Sequence, residues 1–151
     1  MKEEVVAESI KRSSKNAGDA GEYYVAYMLS RLGISAALTT SGTSAVDIIA
    51  TIDGSKSISI QVKGSWARSQ PRQWMVGKHM PVVSPDFFYI FCNMSEDIAT
   101  AKEPEVFIVP SEIVKATSTW HHSAPLFKIA KGQDDQFYNR WDYITDALAQ
   151  R

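Results

Sequence analysis

Residues 57–65, SISIQVKGS, alternate strictly, with Ile58, Ile60 and Val62 set against Ser59, Gln61 and Lys63. A period of two is the mark of a β-strand with one apolar face. A second β-rich run, VDIIATI (46–52), precedes it, with a turn around Asp53-Gly54-Ser55 between the two. Runs joined by so short a connection read as an antiparallel hairpin. This hairpin constrains the fold most, because a one-residue slip in register turns every side chain to the other face. With an odd number of loop residues, Asp47 shares a face with Gln61 and Lys63; an even number separates them.

The polar members of this pair need an explanation, and so does a third residue. A helical pattern runs from Ala17 to about Leu32, with Asn16 placed to cap it, Asp19 in its first turn and Gly33 as its stop. Glu22, Val25, Leu29 and Leu32 fall on one stripe, so a carboxylate lies in line with apolar residues. Burying such a group costs several kcal/mol unless it is paired or bound to a cation.

The rest of the chain supplies further elements. ISAALTT (34–40) and DFFYIFCNM read as strands, the second an interior one. Residues 64–85 look loop-like; EVFIVPSEIVKA reads as a strand broken by Pro110, then a short helix that Ser111 can cap. Phe137, Trp141, Ile144 and Leu148 make one stripe of a closing helix. The order is α-β-β-β-loop-β-β-α-α, a mixed α/β sandwich. Residues 1–16 form a polar arm or short helix, and residues 17–151 form a single domain.

A hydrophobic content of 44% suits a folded domain. No apolar run is long enough to span a bilayer, and the opening MKEEVVAESIKRSSK has no apolar h-region of a secretory signal, so a cytoplasmic location is expected. Cys92 is alone, which rules out an internal disulfide, and its apolar neighbours suggest a buried thiol. Net charge is −1, yet residues 54–85 carry Lys56, Lys63, Arg68, Arg72 and Lys78 with no acid. Such a segment is either a positive surface for phosphates or a solvated loop. Arg68, Arg72 and Lys78 are thus candidate phosphate contacts, and Trp66 and Trp74 candidate base-stacking residues, although packing under the loop is the favoured role for the tryptophans. His79, His121 and His122 lack the cysteine or spaced acid of a zinc site and read as surface or capping residues. Thr43 and Ser44 read as a turn.

If the helix packs on the face of Asp47, two carboxylates, an amide oxygen and an ammonium converge. Asp47 and Glu22 then offer hard oxygen ligands to Mg²⁺ or Mn²⁺, Gln61 a neutral one, and Lys63 a group to orient the attacking water or stabilise transition-state charge.

Asp47, thirteen intervening residues and Gln61-Val62-Lys63, after a helix with Glu22 in AGEYYVAYML, resemble the PD-(D/E)xK nuclease superfamily. That group includes restriction endonucleases, Holliday-junction resolvases and Mrr-like nucleases, and the likeness spans Ala17 to Ser65. Later stretches, among them EVFIVPSEIV and FYNRWDYI, are similar to small bacterial members. The resemblance implies a restriction-endonuclease-like mixed sheet flanked by helices with an αβββαβ core. It also implies Mg²⁺ or Mn²⁺ as cofactor, DNA as substrate with RNA left open, and a homodimer. Two positions depart from the pattern. Gln61 stands where an acid is usual, as it does in Mrr-like members, and Val46 stands where proline is usual. The expected activity is metal-dependent DNA hydrolysis by an endonuclease or junction-processing nuclease. The alternative is a nuclease-like domain that binds nucleic acid or a protein partner without cutting.

Overall fold

The computed structural model describes residues 10–40, 45–66, 72–78, 80–97, 99, 102–121, 124–130 and 132–149. Helix α1, Ser14–Arg31, starts earlier than Asn16 would dictate. Ser13 is its cap: the Ser13 hydroxyl accepts from the Asn16 N–H at 3.1 Å, and the Asn16 side chain accepts from the Ser13 N–H at 3.1 Å. Asn16 thus closes a capping box from inside the helix. Asp19 lies beyond the first turn and pairs with Lys15 at 2.7 Å. The helix stops at Gly33, whose φ is +81°. There Ile34 N–H donates to Leu29 C=O at 2.9 Å and Gly33 N–H to Ser30 C=O at 3.0 Å, a Schellman end.

Strands β1 (Ser35–Leu38), β2 (Ile48–Thr51) and β3 (Ser57–Trp66) form an antiparallel meander. Ile48 faces Ile60 and Thr51 faces Ser57, leaving residues 52–56, an odd number, as the loop. β5 (Phe87–Met94) pairs parallel with β3, and β6 (Glu105–Pro110) pairs antiparallel with β5. The sheet order is β1-β2-β3-β5-β6, which puts β5 inside the sheet as its apolar run requires. A second sheet, absent from the sequence reading, has the order β4 (Gln73–Met75), β8 (Ala124–Lys128), β7 (Thr119–His121). Its strands are too short to show a period, and β4 lies inside the stretch read as loop.

One face of the main sheet carries Ile48, Ile60, Val62 and Ile90, packed with Val25 and Leu29 of α1 and with Ile144 and Leu148 of α4 (Asp142–Ala149). The buried stripe of α1 is Ala17, Gly21, Val25 and Leu29; Glu22 sits at its margin and Leu32 is 44% exposed. The stripe is offset from the expected one because Gly21 and Gly64 let the helix backbone rest on β3. A Cβ on Gly64 would collide with the Ala17 carbonyl oxygen, and one on Gly21 would come within 3.3 Å of Val62 Cγ1. Gly64 therefore does not end the strand, which continues to Trp66.

The other face is covered by α2 (Ser111–Thr117), the second sheet and α3 (Asp134–Phe137). Ser111 does not cap α2. Its hydroxyl donates to Ser84 C=O at 2.9 Å and accepts from Ser84 N–H at 3.1 Å, which pins the approach to β5. Phe137, Trp141, Ile144 and Leu148 are all buried as expected, but not on one helix: Asn139, at φ +53°, separates α3 from α4. Among the described residues no helix is long and apolar enough to cross a membrane.

Candidate active site

The second face of the main sheet is covered over only half its width. Trp74, Val76 and Phe127 of the small sheet and its flank bury Tyr89, Phe91 and Phe107 on β5 and β6. Over β2 and β3 the cover stops: Ile49 is 45% exposed, and Gln61 and Lys63 are only half-buried. The polar half of SISIQVKGS thus faces open space beside a covered core, and a cleft of about 940 Å³ lies at that edge.

Asp47 stands at the start of β2, opposite Gln61 in the continued register. Its N–H donates to Ile60 C=O at 2.9 Å, and its Oδ2 accepts from Val62 N–H at 2.8 Å. The carboxylate takes the place of a ladder carbonyl where β2 diverges from β3, which fixes its position. Glu22 arrives from α1. The helix packs on the face opposite Gln61, so the condition set for convergence is not met as stated, yet Glu22 meets Asp47 at the start of β2. The close Gly21–Gly64 crossing brings the helix near enough for this. Burial, followed by the Asp47 charge and a hydrogen bond with it, pushes the Glu22 carboxyl up to about 7. Ionising Glu22 there sets its charge against that of Asp47, and a cation would relieve that conflict.

Glu22, Asp47 and Gln61 line the cleft together; Lys63 does not line it. Lys63 lies one pleat further along β3, where burial lowers its pKa against the opposing pull of Asp47. Among the described residues no group of three or more His, Cys, Asp or Glu could hold a metal. What Glu22, Asp47 and Gln61 could offer an ion is two carboxylates and a neutral amide oxygen, a set that suits an ion such as Mg²⁺ that takes one or two carboxylates and keeps several waters.

The nucleic-acid candidates scatter. Lys78 is exposed and lines the cleft. Trp74 takes the packing role favoured for it over base stacking: it is 4% exposed, packs on Phe91 with ring centroids 5.0 Å apart, and donates to Cys92 C=O at 3.3 Å. Trp66 is half-buried, and its indole N–H donates to Ser13 C=O at 3.1 Å, tying the end of β3 to the start of α1. Arg72 is a correction. It pairs with Asp134 and with Glu105 at 2.7 Å, and lies over the Phe107 ring at 5.4 Å, so its charge is used within the fold. Lys56 pairs with Asp86 at 3.5 Å. The basic segment thus forms no common positive face among the described residues. Arg68, His79, His122, Thr43 and Ser44 lie outside the described residues, and His121 belongs to β7. Cys92 is buried, which pushes its thiol up to about 12 and leaves it inert.

Tyr89 was not foreseen. It aligns with Gln61 on the neighbouring parallel strand and lines the cleft while only 2% exposed. Burial, then the Asp47 charge, pushes its phenol up to about 12, so it stays protonated at neutral pH. Its only sequence signal was a polar atom inside an apolar run.

No protein-family model and no curated protein matches the chain. A solved structure does: the bacterial homing endonuclease I-Ssp6803I is similar with a TM-score of 0.65 and 14% sequence identity, over 92% of this chain and 98% of that one. At that identity the likeness is one of architecture, and the mixed sheet flanked by helices is a nuclease-like fold.

Proposed function

We propose that the protein is a metal-dependent nuclease that hydrolyses phosphodiester bonds in DNA. The observation that carries this reading is the meeting of Glu22 and Asp47, close enough for a side-chain hydrogen bond, beside Gln61 at the open half of the sheet. The carboxylates of Glu22 and Asp47 and the amide oxygen of Gln61 would hold Mg²⁺ or Mn²⁺. When bound, the ion supplies Lewis-acid polarisation of a phosphate and a nucleophilic water at neutral pH. The Val62 N–H keeps the Asp47 carboxylate oriented. Lys63, with its proton affinity weakened by burial, orients the attacking water or offsets charge on the pentavalent transition state. Likeness to a homing endonuclease favours DNA over RNA as substrate. A homodimer would present one cleft to each strand of a duplex.

A second reading has one observation in its favour. Gln61 brings no charge where an acid would, which weakens a metal site and suits a domain that binds nucleic acid or a protein without cutting. Incubation with supercoiled, linear and branched DNA in Mg²⁺ or Mn²⁺ separates the two. Cutting that disappears in Asp47→Ala and Lys63→Ala supports the nuclease. Cutting that survives both substitutions overturns the assignment of residues, and binding without cutting, unchanged by Asp47→Ala, supports the second reading.

A further inference from the structure

The lining of the cleft divides by chemistry. Glu22, Asp47 and Gln61 come from α1, β2 and β3; Val76, Met80, Pro81 and Val82, in the connection between β4 and β5, give it an apolar end wall. Val82 leaves 70% of its surface open. On the floor, the Tyr89 ring is fixed between Phe87 and Phe91, with centroids 5.3 and 5.9 Å away. Tyr89 is 2% exposed and lines the cleft. Its phenol hydroxyl can offer one hydrogen bond to a ligand there. A cleft of about 940 Å³ also exceeds what a hydrated cation and one phosphate fill; pockets of roughly 300–1,000 Å³ take whole organic ligands.

An apolar wall, one fixed hydroxyl and an exposed ammonium, Lys78, match the parts of a nucleotide: a flat base, a polar sugar or base edge, and a neighbouring phosphate. We propose that this end is a nucleoside subsite, which receives the base and sugar of one unstacked nucleotide next to the scissile phosphate, with Tyr89 as its polar anchor. The subsite rests on the phosphodiester reading of the neighbouring acids. A base held there cannot remain stacked in a continuous duplex, so the preferred substrates are strand ends, branches or distorted sites.

Calorimetric titration in Ca²⁺ with thymidine 5′-monophosphate, inorganic phosphate and thymidine tests it without cleavage. The nucleotide should bind at least about ten-fold tighter than phosphate. Tyr89→Phe and Val82→Ser should each remove most of that preference and leave phosphate affinity unchanged. Val82 is exposed, so its variant reports even if Tyr89→Phe disturbs packing. A nucleotide that binds no tighter than phosphate overturns the subsite and leaves the cleavage reading standing. Thymidine that binds where phosphate does not keeps the subsite and removes the cleavage reading; failure of all three ligands overturns the subsite.

Discussion

Glu22→Gln should make the metal-free protein more stable at pH 8 and leave it unable to use metal. In the folded state the Glu22 carboxyl is raised from its ordinary 4.5 to about 7, first by burial and then by Asp47. The folded chain therefore holds its proton more tightly than the unfolded chain, and between those values it binds more protons. Stability from this group falls as pH rises through that window, and the penalty is complete above about 7. Taken at face value the shift is worth about 3.4 kcal/mol, and water in the open cleft reduces that to about 1 kcal/mol. Glutamine is never charged and can donate a hydrogen bond to Asp47, so the variant escapes the penalty. The expected gain is about 2–4 °C in Tm at pH 8 for a chain of this size, shrinking towards zero at pH 5. Thermal melts of both proteins at the two pH values, with and without Mg²⁺, measure it. Mg²⁺ should raise the Tm of the parent at pH 8 more than at pH 5 and leave the variant unmoved. A variant no more stable than the parent at pH 8, or equally stabilised at both values, would refute the claim that the two acids confront each other.

Three more outcomes follow from the packing and the site. Gly64→Ala should lower stability by about 1–3 kcal/mol in urea unfolding, because the Ala17 carbonyl oxygen is fixed in the helix backbone and cannot turn away; an unchanged midpoint would contradict the close crossing. Lys63→Ala should slow cleavage by about 100-fold or more while DNA binding in a mobility-shift assay is retained; equal loss of both would make Lys63 a binding residue. Arg72→Ala should cost about 1–3 kcal/mol in denaturant unfolding by stranding Glu105 and Asp134, with DNA affinity unchanged; a weakened DNA complex from a stable variant would restore the phosphate-contact role.

The hairpin was legible because its information is local. Alternation in 57–65 and a short turn determine which residues share a face, and Asp47, Gln61 and Lys63 follow from the odd loop. The helix was legible in extent but not in rotation. Small residues write its contact stripe, and Gly21 carries no hydrophobic signal; only the approach to Gly64 shows that it is the point of closest contact. Trp74 and Arg72 stayed open to two readings for a related reason, since a basic, aromatic segment looks the same whether it meets nucleic acid or its own core. Tyr89 stayed hidden because its place beside Gln61 depends on a parallel pairing between strands with β4 and its flanking connections between them, a register that no local pattern encodes.

The strand that poses the first question also marks a boundary in the fold. Had the small sheet extended over β2 and β3, Gln61 and Lys63 would be buried without sufficient partners, at a cost of several kcal/mol. With apolar residues there instead, the open half would be an exposed hydrophobic patch. Polar side chains on that half are therefore compatible only with a cover that ends at β5, and the end of the cover is what opens the cleft. On the far side of the sheet, Gly64 sets how low α1 rides and so whether Glu22 can reach Asp47. Site and core are thus coupled through one glycine: a residue there with any side chain should lift the helix, separate the acids, and bring the Glu22 carboxyl back towards its ordinary value, an effect that carboxyl NMR titration of Gly64→Ala would register even where the protein remains folded.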